Sequence, residues 1–154
     1  MEKTDVVKLL QEGQTVQIMP KGFSMYPLII PGRDSAILRS IEDTEGHRGD
    51  VVLFRREDGT LVLHRIWQVS SAGYFFVGDN QLEIEGPINR RQLLGIASGF
   101  VRKGKTFSTK HPAYRIISGL WLVLRPFRYV IETPVALVRR AYGHCKKLSS
   151  EKMR

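Results

Sequence analysis

Apolar residues in this chain come in short runs, and a turn containing glycine or proline interrupts nearly every one. Thr15-Val16-Gln17-Ile18-Met19 alternates apolar and polar residues, the pattern of a half-buried strand. Ala36-Ile37-Leu38, Val51-Val52-Leu53-Phe54, Leu61 to Ile66, Tyr74 to Val77 and Leu93 to Val101 are further runs of strand length. Pro31-Gly32, Gly46 to Asp50, Ser71-Ala72-Gly73 and Gly86-Pro87 break the chain between them, and Asp58-Gly59 is a hairpin signal. Thr4 or Asp5 can cap a short helix with Val6, Val7, Leu9 and Leu10 apolar, and Gly13 can end it. Such punctuation leaves little room for other helices and predicts a mainly β, β-rich domain over residues 1–108.

From Pro112 the texture changes. Ile116, Leu120, Trp121, Val123, Leu124, Phe127, Val130 and Ile131 recur at helical spacing with Arg115, Arg125 and Arg128 among them, so residues 109–154 are expected to form a helical tail. Pro126 and Pro134 would kink or divide it. Charge separates the same two parts. Residues 1–99 hold 11 Lys and Arg against 13 Asp and Glu, a net of −2, whereas residues 100–154 hold 13 against 2, a net of +11. A basic, amphipathic stretch over residues 112–147 suits an anionic membrane surface. Its uncharged run from Ile116 to Leu124 is far shorter than the ~20 residues needed to span a bilayer. Packing on the β-rich domain is the alternative for this helix. Nucleic acid is not expected, for lack of a recognition pattern.

The first ten residues carry charges throughout and no continuous apolar core, so they do not read as a secretory signal. A cytoplasmic protein, peripheral at the inner membrane face, is the resulting expectation. One cysteine, Cys145, excludes an internal disulfide, and its place beside Lys146 and Lys147 reads as incidental. The four histidines lack metal-ligand spacing, and neither metal nor cofactor is expected.

Chemistry concentrates at Lys21-Gly22-Phe23-Ser24-Met25-Tyr26-Pro27, where a strand exit presents a serine. A serine hydroxyl is a poor nucleophile until a base takes its proton, and the base works best when a third group orients it. His64 stands inside an apolar strand and Asp79 in a Gly78-Asp79-Asn80 turn after another, which supplies one residue of each kind in chain order. Singly, each suits a structural role: a turn serine, a hydrogen-bonded core histidine, a turn aspartate.

Gly22-Phe23-Ser24-Met25-Tyr26-Pro27, Arg48-Gly49-Asp50-Val51-Val52, Val62-Leu63-His64-Arg65-Ile66 and Gly78-Asp79-Asn80 resemble, in order and spacing, the boxes of type I signal peptidases. The clan also includes the self-cleaving SOS-response repressors. The resemblance covers roughly Gln14 to Lys103. It implies the β-rich catalytic fold of that clan, with Ser24 as nucleophile, His64 as general base and Asp79 as the group that orients the imidazole. Most bacterial members have Lys at the position of His64; histidine is similar to the endoplasmic-reticulum and archaeal branch. His-type enzymes carry a second acid shortly after Gly-Asp-Asn, and Glu85 matches that spacing better than Glu83. Gly22 stands where many bacterial members have an oxyanion-hole serine, which leaves the Ser24 N–H and other backbone or water donors. Met25, Tyr26 and Leu28 would line substrate pockets or pack. The implied substrate is an extended leader- or signal-like peptide cut after small residues. An imidazole with the ordinary pKa of ~6.5 would lose activity below about pH 6. The alternative is an inactive module of the same fold that binds a peptide or scaffolds a membrane complex.

Overall fold

The structure, a computed structural model, describes residues 3–125. The chain divides into two compact units, residues 1–122 and 123–154, and the fold described here is that of the first. Most of the expected helical tail, with Phe127 to Ile131, Pro134 and Cys145, lies outside the described residues.

The unit is mainly β: an eight-stranded antiparallel sheet with two short helices. Helix α1 (Lys3–Gln11) precedes strands β1 (Val16–Ile18), β2 (Asp34–Ser40), β3 (Val51–Arg55), β4 (Leu61–Ser70), β5 (Gly73–Val77), β6 (Ile84–Ile88), β7 (Leu93–Arg102) and β8 (Lys105–Ser108), and helix α2 (Pro112–Val123) follows. The strands lie in the order β1-β2-β7-β3-β4-β5-β6, with β8 paired to β7.

Strand β3 has neighbours on both sides and is buried on both faces, which explains its unbroken apolar sequence. Its side chains alternate between two cores. Val51 and Leu53 join Val6, Leu10, Met25, Leu38 and Phe100 on one side. Val52 and Phe54 join Ile66, Phe76 and Ile96 on the other. The Phe54 and Phe76 rings stack at 4.4 Å. Burying each such ring contributes about 2 kcal/mol.

Two sequence expectations need correcting. Helix α1 begins at Lys3, which puts Thr4 and Asp5 in its first turn rather than at its cap. There the Asp5 carboxylate still favours the positive end of the helix dipole. Gly86-Pro87, expected to break the chain, lies within β6. Strand β6 ends the sheet order, so the missing proline N–H costs no ladder bond on its open side. Two residues, Gly86 and Pro87, bulge opposite Phe75, between the pairs Phe76–Glu85 and Tyr74–Ile88. Gly86 takes φ +152, and a Cβ there would lie 2.8 Å from the Tyr74 carbonyl oxygen.

The segment between β1 and β2, which carries Ser24, is fastened at its far end. Asp34 is buried and accepts bonds from the side chains of Arg33 and Arg102 and from the Ile30 N–H. Arg102 also donates to the Leu28 carbonyl at 2.7 Å. Burial alone would raise the Asp34 pKa; these bonds outweigh it and hold the carboxyl well below the usual range.

Helix α2 has two apolar faces. Ser118 and Leu122 are buried, and Tyr114 packs on Phe100 with ring centroids 5.5 Å apart. Among the described residues no helix is long and apolar enough to cross a membrane.

Candidate functional site

Strand β1 ends at Ile18, and Pro20 and Gly22 then turn the chain so that Ser24 sits half-buried at the mouth of a cleft. A turn bond from the Tyr26 N–H to the Phe23 carbonyl shapes the segment. Met25, only 1 % exposed, anchors it in the core. The Gly78-Asp79-Asn80 turn grips it from the other side: the Asn80 N–H donates to the Ser24 carbonyl at 2.7 Å. Gly78 lies so close that a Cβ there would come within 2.7 Å of the same carbonyl oxygen and 2.6 Å of the Gln81 side chain. We expect Gly78→Ala to displace the Ser24 turn and cost about 1–3 kcal/mol, read as a lowered urea midpoint. A midpoint equal to that of the parent would show that the turn tolerates the methyl.

His64 faces Val52 across the β3–β4 ladder and meets the Phe54 ring edge-on at 6.2 Å. The cleft, about 680 Å³, is lined by Ser24 and His64 together with Ile18, Met19, Leu53 and Leu63. Serine and imidazole thus share one cavity, although 40 positions separate them in sequence. Among the described residues, the charged ones that line it are Lys21 and Arg56.

Around the imidazole the structure differs in detail from the sequence expectation. Both carboxylate oxygens of Asp79 accept bonds from Arg65, from Nε at 2.8 Å and from the guanidinium terminus at 2.7 Å. The carboxylate nearest the buried ring nitrogen is Glu85, with Oε2 3.8 Å from His64 Nδ1. Nδ1 itself has no hydrogen-bond partner among the described residues. Glu85 is held by Arg56 through two bonds, one of them 2.7 Å long. Glu83 is exposed in the segment just before β6. Met25 lines the cleft, whereas the exposed Tyr26 and half-buried Leu28 are not among its lining residues.

Burial pushes the His64 pKa down to about 4; Glu85 and Asp79 oppose that shift, and Arg56 reinforces it. The imidazole is therefore neutral, and able to accept a proton, well below the pH 6 limit expected of an ordinary histidine.

Arg65, next to His64 in β4, is fully buried. Besides Asp79 it donates to the Gly49 carbonyl at 2.7 Å, the Tyr114 hydroxyl at 3.3 Å and the Ser118 hydroxyl. Trp121 Nε1 donates to the Asp79 carbonyl at 3.1 Å. Helix α2 thereby buttresses the same turn that grips Ser24. Arg48-Gly49-Asp50 serves as turn structure: the Gly49 N–H bonds to the Ile66 carbonyl, and the Ile66 N–H to that of Asp50.

Arg56 is the part of this arrangement that the sequence reading missed, whereas α2 packs on the β-rich unit, the alternative expected for that helix. Arg56 lies beside an exposed hairpin turn and its partner Glu85 is 29 positions away, so no local pattern marks the pair. No group of His, Cys, Asp and Glu among the described residues is arranged to hold a metal ion. No protein-family model matches the chain, and no curated protein matches it significantly.

Proposed function

We propose that the chain is a serine endopeptidase of signal-peptidase type, with Ser24 as nucleophile and His64 as general base. The observation that carries this reading is the shared cleft, which brings a half-buried serine and a neutral imidazole into one cavity. Ser24 Oγ attacks the scissile carbonyl carbon while its proton passes to His64, through the ring nitrogen Nε2 that is not turned toward Glu85. The Ser24 N–H supports the oxyanion. The protonated imidazole then gives its proton to the departing amine, and water, deprotonated by the same ring, releases the acyl group from Ser24. Glu85 and Asp79 stabilise the transient imidazolium by their charge. The clan fold implied by the resemblance is part of this proposal, as is an extended peptide substrate with small residues before the scissile bond. The apolar lining supplied by Ile18, Met19, Leu53 and Leu63 suits such a peptide. The uneven charge of the chain suggests a place of work on the cytoplasmic side, at the inner membrane face.

One observation favours the second reading, an inactive peptide-binding or scaffolding module. Among the described residues none supplies the orienting bond to Nδ1, while Arg56 engages Glu85. An electrophilic probe for activated serines separates the two. Covalent labelling at Ser24, confirmed by peptide mapping and absent from His64→Gln, is expected of the enzyme. An unlabelled Ser24 in folded protein supports the module.

A further inference from the structure

Helix α2 spends one apolar face on the sheet and leaves another uncovered. Tyr114, Ser118, Trp121 and Leu122 turn inward. Ile116, Ile117, Leu120 and Val123 follow one another at helical spacing on the opposite side, 69, 54, 56 and 63 % exposed. A helix apolar all round is normally buried all round, and a contiguous apolar stripe of this kind marks a contact surface.

Charge points to what covers it. Between Glu85 and Glu132 the chain contains nine Lys and Arg and no acidic residue. Lys110 and Arg115, both exposed, flank the start of α2. Strand β8, immediately before it, exposes Phe107 between Lys105 and Lys110. Apolar side chains bordered by cations without carboxylates match an acyl boundary lying beneath anionic headgroups.

We propose that the outer face of α2, with Ile116, Ile117, Leu120 and Val123 inserted and Lys110 and Arg115 at the headgroups, docks the protein on an anionic lipid surface. This rests on the membrane-surface placement suggested above and names the side chains that produce it. It is independent of whether Ser24 is catalytic. Because the inner face of the same helix holds Arg65 and the Asp79 carbonyl, docking would bring the Ser24 cleft to the membrane on a fixed support.

The test is flotation of the full chain with vesicles of phosphatidylcholine alone or mixed equally with phosphatidylglycerol. Binding to the mixed vesicles only, weakened by salt, is expected. Ile117→Glu with Leu120→Glu should reduce partitioning about tenfold or more and leave the melting temperature unchanged, because both sites are exposed. Three results would overturn the proposal. If the parent chain binds no anionic vesicles, the membrane placement itself is wrong. If the double variant floats like the parent, the placement stands but α2 is not the docking face. A solution dimer that the double variant dissociates, without lipid binding in the parent, assigns the stripe to a second copy of the chain.

Discussion

Ser24→Ala and His64→Ala are each expected to lower peptide cleavage by about 10³-fold or more, because neither proton transfer nor attack proceeds without its partner. The pH profile carries the sharper information. A base of ordinary pKa would be half-protonated near pH 6.5; with burial holding His64 at about 4, activity should persist through pH 5 and decline only near pH 4. The same shift acts on stability, and its sign follows from which state takes up the proton. Above pH 6.5 the imidazole is neutral in both folded and unfolded chains. Between there and pH 4 only the unfolded chain protonates it, so stability falls as pH falls, and the loss is complete below the folded pKa. Between pH 7 and pH 5 this amounts to about 2 kcal/mol. His64→Gln should lack that part of the decline when urea midpoints are compared at the two values. Equal slopes for parent and variant would show that the ring is not desolvated, and an unchanged cleavage rate in His64→Ala would remove the base assignment.

Much of the sheet was legible because its strands obey local rules. Val51 to Phe54 and Leu61 to Ile66 are apolar runs bounded by turn residues, and both form paired, buried strands. Strand β8 was not legible: Lys105 to Ser108 is exposed throughout and carries no buried alternation to betray it. Strand β6 was masked by Gly86-Pro87, which signals a break unless the strand is known to lie at the edge of its sheet. The candidate site divides in the same way. Turn and strand patterns put Ser24 at a strand exit and His64 inside a strand, the resemblance implied their roles, and the structure brings both to one cleft. The charges around the imidazole are set by pairings through space, Arg56 with Glu85 and Arg65 with Asp79, which no local spacing encodes. The lowered His64 pKa follows from burial, and a histidine in an apolar strand does not by itself reveal how deeply it is buried.

Removing either partner of the Arg65–Asp79 pair is expected to be the most destabilising single change in the unit, at about 3–5 kcal/mol. Both side chains are essentially inaccessible, so Arg65→Ala and Asp79→Ala each remove, in the interior, the two charge-assisted bonds that join the pair. Arg65→Lys should recover little, because a lysine cannot reproduce the planar fork that reaches Asp79, Gly49, Tyr114 and Ser118 together. Replacing both partners by apolar residues, Arg65→Met with Asp79→Leu, removes the two buried charges at once and should restore most of the lost stability. Activity should not return with it. The Asp79 turn holds the Ser24 carbonyl through Asn80, and the Asp79 charge favours the imidazolium that cleavage requires. Urea denaturation and peptide cleavage measured on the same four variants separate the two roles. Should Arg65→Ala cost less than about 1 kcal/mol, the pair is not the keystone claimed here; should the apolar double variant cleave like the parent, its charge serves the fold alone.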